Sequence, residues 1–156
     1  CLDVFFLIKN NLQRLQLTAN RLIHGDASQP NEWYQGPKYD KILLDVPCSA
    51  SGVVRRHPDI KLLRQAEDIT LLTRLQTQIL QAAADLLIDG GLLLYATCSV
   101  FRAENERQIK RFLKNNPNFK EQAIHVPDSL PQKQGRQILP GQADMDGFYY
   151  CLLKKS

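Results

Sequence analysis

The sequence lacks the apolar segments that mark membrane and secreted proteins. Its 156 residues contain no apolar run long enough to span a bilayer. Residues 1–17 are mildly apolar, but they carry Asp3, Lys9 and Arg14 and lack the ordered basic, apolar and small-residue regions of a signal peptide. We therefore expect a cytoplasmic protein that does not enter a membrane.

Cysteine is scarce, and its four copies are widely spaced. Cys1, Cys48, Cys98 and Cys151 include no CxxC pair and no Cys/His cluster with zinc-ligand spacing, so no metal site is expected. Without a secretory signal, a disulfide framework is not expected either. Cys1 and Cys151 suit the common role of small buried apolar residues. Cys48 and Cys98 lie beside Pro, Ser and Thr in loop-like sequence, so these two cysteines are candidates for a functional role.

The net charge and the composition exclude few classes of function. The net charge of +4 permits a polyanionic partner without requiring one. A hydrophobic content of 44% and a charged content of 23% are ordinary for a globular protein. The length suits a single domain over residues 1–156. Because the sequence has no starting methionine and opens within an apolar stretch, we expect the N-terminal part of this domain to lie upstream.

Apolar periodicity predicts short strands that alternate with helices. Helices are predicted over residues 7–17, 68–89 and 102–115. Strands are predicted over residues 21–24, 41–46, 92–96, 119–126 and 148–153. Gly90 is expected to end the second helix in a left-handed conformation, and the polar residues 127–146 are expected to form a long loop. The alternation predicts an α/β fold with a parallel sheet.

Ligands of open α/β sheets bind beyond the carboxyl ends of the strands. Three segments directly follow predicted strands: residues 25–26, 45–52 and 97–99. If the strands over 41–46 and 92–96 pair, they lie about 4.8 Å apart. Both Cys48 and Cys98 would then lie close to each other and to Asp45. A disulfide between them is geometrically possible, although an intracellular protein would keep it reduced.

The sequence around these cysteines resembles a known enzyme family. DVPCSASG at 45–52 and ATCSV at 96–100 resemble the paired motifs of the Sun-type RNA 5-methylcytosine methyltransferases. The longer stretches over 39–63 and 138–155 are similar to the bacterial Sun/Fmu members, whose partner is 16S small-subunit ribosomal RNA. The resemblance implies a Rossmann-like class I methyltransferase sheet with helices on both faces. It also implies an N-terminally truncated domain, because the family's first strand and glycine-rich motif precede Cys1.

The resemblance assigns a covalent mechanism to the two cysteines. Carbon 5 of cytosine is a poor nucleophile, and addition of a thiolate to carbon 6 makes it electron-rich. The resemblance implies that Cys98 adds to carbon 6, that Cys48 assists product release and that Asp45 hydrogen-bonds the cytosine. Cys98 should then have a lowered pKa. The target base must leave its stack to reach Cys98.

The resemblance also implies S-adenosylmethionine as the methyl donor. Asp3 is expected to hold the ribose hydroxyls, and Asp26 is expected to contact the adenine amino group. Asp45 and Pro47 are also expected at the cofactor. Because the glycine-rich motif lies upstream in the family, the segment alone is expected to bind cofactor weakly and to be inactive.

Arg55 and Arg56 closely follow the first cysteine motif and are expected to contact RNA phosphates. A solvated basic turn is an equally good interpretation of the two arginines.

Two other functions remain open at this stage. A cysteine hydrolase or thiol redox site is disfavoured, because the hydrolase needs a positioned histidine and His24, His57 and His125 show no such arrangement. A catalytically silent RNA-binding or assembly module with a methyltransferase fold is the second alternative. The intact Cys48, Cys98 and Asp45 argue against it.

Overall fold

The computed structural model describes residues 2–156, and for residues 2–4 it describes the backbone but not the side chains. Within this range the helices are α1 (Leu2–Arg14), α2 (Ile60–Leu63), α3 (Ala66–Asp85) and α4 (Glu106–Asn115). The strands are β1 (Tyr39–Asp45), β2 (Leu87–Thr97), β3 (Phe119–Gln122), β4 (Leu130–Pro131), β5 (Arg136–Ile138) and β6 (Phe148–Lys155). None of the helices in this range is long and apolar enough to cross a membrane.

The strands form one mixed sheet in the order β1-β2-β6-β5-β4, and β3 pairs with β6. β1 and β2 run parallel, with Asp45 opposite Ala96. β6 runs antiparallel to β2 and places Tyr150 opposite Ala96. The prediction of an α/β fold is confirmed. The predicted parallel pairing holds for β1 and β2 but not for β6, which is antiparallel to its neighbours. The chain reverses from β5 to β6 through residues 139–147 without a crossover helix, and such short connections join antiparallel strands.

The core lies on one face of the sheet, where α3 and α4 pack. Side chains alternate along a strand, so every second residue of β2 and β6 enters this core. These residues are Leu93, Tyr95, Tyr149, Cys151 and Leu153. The opposite face carries Leu94, Tyr150 and Leu152, which border residues 124–127 of the segment after β3.

Helix α3 ends earlier than predicted, at Asp85 rather than Asp89. The chain enters the sheet directly afterwards, and Leu87 is fully buried in the core. Gly90 has the expected positive φ of 79°, but it lies within β2 and does not cap the helix. Along β1 the partner residue on β2 moves from Leu87 to Leu92, so Gly90 belongs to a bulge in the strand.

Other predicted segments change their ends or disappear. The predicted helix over 7–17 lies at Leu2–Arg14. The predicted helix over 102–115 begins only at Glu106, because the residues before it form turns beside the loop after β2. The predicted strand over 119–126 ends at Gln122. The predicted loop over 127–146 contains the short strands β4 and β5.

The predicted strand over 21–24 is absent from the described structure. A strand needs a neighbour for its backbone hydrogen bonds, and in the described structure these exposed residues pair with no strand of the sheet. The apolar pattern was therefore not enough to form a strand here.

Candidate active site

The two cysteine loops leave neighbouring strands at the same edge of the sheet. Because β1 and β2 are parallel and in register at Asp45 and Ala96, the loops that follow them meet. The sulfur atoms of Cys48 and Cys98 are 3.3 Å apart. This distance exceeds a disulfide bond of about 2.05 Å, and both half-buried thiols are free. The structure thus brings together the cysteines that the strand pairing predicted to be neighbours.

The two thiols differ in acidity: Cys98 is the one that becomes a thiolate, and Cys48 is its hydrogen-bond donor. A hydrogen bond from Cys48 lowers the pKa of Cys98 to about 7, although partial burial and the charges of Asp45 and Glu104 act in the opposite direction. The same hydrogen bond, followed by burial, raises the pKa of Cys48. An ordinary cysteine has a pKa of about 8.5. Cys98 is therefore the thiol that ionises near neutral pH, as a nucleophile requires.

Asp45 lies on the open face of the sheet beside the thiol pair. It ends β1 opposite Ala96, and Ala96 lies opposite Tyr150 on β6. The three side chains form a row on the face away from α3 and α4, because residues in register point the same way. Burial and then the charge of Asp45 raise the pKa of Tyr150. Tyr150 is a neighbour of the site that the sequence did not indicate.

Backbone hydrogen bonds join three segments behind the thiols. The Gly52 N–H donates to the Cys98 carbonyl over 2.9 Å, and the Gly147 N–H donates to the Gly52 carbonyl over 2.8 Å. A Cβ on Gly52 would lie 2.1 Å from the Gly147 carbonyl oxygen and 2.9 Å from that of Cys98. Only glycine lets the three segments approach this closely.

Buried polar residues before α4 hold the loop that carries Cys98. The Asn105 side chain donates to the Ser99 carbonyl over 2.8 Å and accepts a hydrogen bond from the Thr97 hydroxyl over 2.7 Å. Glu104 is fully buried and contacts both cysteine loops. Sequence reasoning missed Glu104 and Asn105, because an acid and an amide before a helix equally suit its N-terminus.

Arg55 and Arg56 are ion-paired in the structure. Arg55 binds Asp144 over 2.7 Å, and Arg56 binds Asp146 over 2.8 Å. The Arg55 side chain is about half exposed and that of Arg56 is largely exposed, so both retain donors toward solvent. The pairs connect the turn after the first cysteine loop with the segment around Gly147. Phosphate binding by the arginines stays a prediction.

The residues expected to hold the cofactor do not all meet at this edge. Asp45 and Pro47 flank the thiol pair. Asp26 is exposed and accepts hydrogen bonds from the Ser28 backbone and hydroxyl, which lower its pKa. Ser28 borders a cavity with Asp85, close to the start of β2 and thus at the opposite end of that strand from Cys98.

The side chain of Asp3 lies outside the described residues, and Cys1 lies outside them altogether. The residues at the cysteine edge therefore fit S-adenosylmethionine only in part. The described residues contain no cluster of His, Cys, Asp and Glu that could hold a metal ion.

Fold and site together define a class of protein: a Rossmann-like α/β methyltransferase domain with two cysteine loops at the carboxyl ends of adjacent strands. Two solved structures share this fold over 94% of the chain. PH0851 has a TM-score of 0.88 at 33% identity and is itself covered over 33% of its length. NSun6 from Pyrococcus horikoshii, solved with SFG, has a TM-score of 0.82 at 29% identity and is covered over 37%.

Residues 5–154 match the family described as 16S rRNA methyltransferase RsmB/F, and the chain belongs to this family. Ribosomal RNA small subunit methyltransferase B of Vibrio cholerae is 53% identical over 148 residues. That alignment covers 95% of this chain and 33% of the relative. The chain therefore spans about a third of the length of the curated relatives that it matches.

Proposed function

We propose that this chain is the C-terminal catalytic portion of a cytoplasmic enzyme that methylates carbon 5 of a cytosine in 16S ribosomal RNA. The observation that carries this proposal is the thiol pair at the carboxyl ends of β1 and β2. One sulfur ionises near neutral pH, and a second sulfur lies 3.3 Å away. Covalent activation of a pyrimidine needs such an ionised thiol.

In the proposed reaction the Cys98 thiolate adds to carbon 6 of the flipped cytosine, and carbon 5 gains nucleophilic character. When bound, S-adenosylmethionine supplies an electrophilic methyl group, and Asp45 and Pro47 would contribute to holding it. After carbon 5 has taken the methyl group, water accepts the carbon 5 proton. The electron pair of that C–H bond re-forms the double bond between carbons 5 and 6, the bond from carbon 6 to sulfur breaks, and Cys98 leaves as a thiolate.

Cys48 has a physical role in that last step. When Cys98 is the thiolate, the Cys48 S–H group is the donor of the contact between the two sulfurs and stabilises the thiolate that departs from carbon 6. The hydrogen bond that lowers the pKa of Cys98 therefore also makes it a better leaving group. Asp45 lies on the open side of the same edge, where its carboxylate would bind the polar edge of the cytosine.

The substrate and cofactor assignments draw support from the relatives. The family description names 16S rRNA, and the Vibrio cholerae relative is named for the small-subunit ribosomal RNA. The NSun6 structure was solved with SFG, an analogue of S-adenosylmethionine. These names favour an RNA methyltransferase over the hydrolase, the redox site and the silent binding module.

The direct test uses a protein of the relatives' full length that contains this chain, here called the full-length protein. It is incubated with 16S ribosomal RNA and S-adenosylmethionine labelled in the methyl group, and the RNA is digested to nucleosides. We expect labelled 5-methylcytidine. Cys98→Ala should lower its formation at least about a thousandfold, because the nucleophile is lost.

Cys151→Ala is the matched control, because Cys151 is a free cysteine of β6 that is buried in the hydrophobic core. It should leave the rate within about twofold of the wild type. RNA binding without label transfer would favour the silent module, and a label on any base other than cytosine would contradict the proposal.

A further inference from the structure

A single carboxylate oxygen connects the two cysteine loops. Ser49 directly follows Cys48, and Ser99 directly follows Cys98. The Ser49 hydroxyl donates to Oε2 of Glu104 over 2.6 Å, and the Ser99 hydroxyl donates to the same oxygen over 2.5 Å. Each cysteine is thus one residue away from a group bound to Glu104.

The second carboxylate oxygen binds the first loop from another direction. Oε1 of Glu104 accepts the Ser49 N–H over 2.9 Å and the Gln76 side-chain amide over 3.0 Å. The Gln76 amide, on α3, also donates to the Pro47 carbonyl over 2.9 Å. The residues on both sides of Cys48 are therefore held by one connected group of hydrogen bonds.

Glu104 has no solvent exposure, and no arginine or lysine pairs with it in the described structure. A buried carboxylate is costly unless hydrogen bonds compensate it. Here four donated hydrogen bonds do so, and three of them come from the serines beside the cysteines. Loss of the carboxylate would leave these buried donors without their acceptor. The loops would then be joined only by weaker contacts, chiefly the Ser49–Ser99 hydroxyl contact of 3.2 Å and the backbone hydrogen bond from Gly52 to Cys98, so the spacing of the two cysteines would be less tightly held.

We propose that Glu104 is a positioning residue, which fixes the distance between the Cys48 and Cys98 sulfurs through Ser49 and Ser99. This inference rests on the proposed function for its catalytic consequence, but the geometric claim can be tested without RNA. Glu104 touches neither substrate nor reacting atoms. It acts through the two serines that it holds.

Glu106 provides a matched control two residues further along the chain. Its side chain is also buried, but its carboxylate accepts a hydrogen bond from Arg102 over 2.6 Å. In the described structure it makes no hydrogen bond to Cys48, Cys98 or the serines that follow them. Glu106→Gln therefore removes a buried negative charge near the start of α4 without touching the serines.

The first experiment follows alkylation of Cys98 by iodoacetamide as a function of pH in the full-length protein, with the modified peptide counted by mass spectrometry. The Glu104 charge opposes ionisation of Cys98, so loss of that charge alone would move the midpoint of the profile to lower pH. Separation of the sulfurs would weaken the hydrogen bond from Cys48 and move the midpoint to higher pH. For Glu104→Gln we expect the upward shift, with about tenfold slower alkylation at pH 7.

Methylation kinetics give the second readout. Glu104→Gln should lower kcat about tenfold or more and leave the KM for RNA within about threefold, because the ground-state contacts with RNA stay intact. Glu106→Gln should change neither the alkylation midpoint nor kcat by more than about twofold. Circular dichroism establishes that each variant is folded.

If Glu104→Gln does not fold, the single variants Ser49→Ala and Ser99→Ala replace it, because each removes one hydroxyl and keeps the carboxylate. Both should shift the alkylation midpoint upward by less than Glu104→Gln would. An unchanged or lower midpoint in folded Glu104→Gln, or an unchanged midpoint in both serine variants, would overturn the inference. Absence of methylation in the wild type would instead count against the proposed function, and the alkylation profile would still decide the role of Glu104.

Discussion

The cysteine edge and the segment before β1 differ in how they are held. At the cysteine edge, the loops over 45–52 and 97–105 are joined by buried hydrogen bonds from backbone, serine, amide and carboxylate groups. The segment over 5–38 is mostly exposed and adds no strand to the sheet. The first region therefore suits chemistry that depends on precise placement of side chains, whereas the expected cofactor residue Asp26 lies in the second region.

The largest expected effect compares a glycine from each region. Gly52→Ala should lower the free energy of unfolding by about 3 kcal/mol, because the new Cβ meets a backbone carbonyl that cannot move alone. Gly25→Ala would place its Cβ 2.5 Å from the half-buried Trp33 ring, so this one side chain must move and weaken its hydrogen bond to the Asp26 carbonyl. The cost should be about 1 kcal/mol, because a side chain gives way more readily than two joined backbone segments. Urea unfolding followed by circular dichroism measures both values, and equal losses would remove the contrast between the regions.

A second prediction concerns the pH at which Cys98 reacts. Its pKa of about 7 depends chiefly on the hydrogen bond from Cys48. Cys48→Ala removes this donor, so the pKa rises and less thiolate is present at pH 7. Alkylation of Cys98 at pH 7 should slow about tenfold.

Cys151 serves as the internal reference for this measurement. It is fully buried, and burial raises its pKa, so it should stay unmodified until the protein unfolds. A Cys98 profile that does not change in Cys48→Ala would show that the thiol pair is not coupled.

The smallest expected effect is on RNA affinity, and it tests whether Arg56 binds a phosphate or serves only in a structural ion pair. The Arg56 side chain is 74% exposed, so its bond to Asp146 contributes less than about 1 kcal/mol to stability. If Arg56 binds a phosphate, Arg56→Ala should weaken RNA binding about threefold and reduce the salt dependence by about one counterion. Arg21→Ala, an exposed arginine of the segment before β1, is the control and should change neither quantity. Fluorescence anisotropy at several salt concentrations checks both variants.

The sequence predicted the cysteine pair because two short apolar runs define adjacent parallel strands, and strand geometry then brings Cys48 and Cys98 together. Cys151 was correctly predicted to be buried. Glu104 could not be predicted, because its partners Ser49 and Gln76 are 55 and 28 residues away along the chain. The strand predicted over 21–24 failed for a related reason, since a strand depends on a neighbour that local periodicity does not reveal.

The bulge at Gly90 and the direction of β6 also depend on tertiary pairing. Gly90 and Gly91 after a helix fit a helix cap as well as a strand bulge. The burial of Leu87 in the core, as part of β2, decides for the bulge. The apolar run of β6 fits a parallel or an antiparallel strand equally well.

The central claim is that Cys98 bonds to the RNA and that Cys48 helps it to leave. The most direct measurement mixes the full-length Cys48→Ala variant with 16S ribosomal RNA and S-adenosylmethionine and separates the products on a denaturing gel. We expect a covalent protein–RNA adduct that accumulates in Cys48→Ala and disappears when Cys98→Ala is added. Absence of an adduct in Cys48→Ala, together with methylation that persists in Cys98→Ala, would contradict the mechanism.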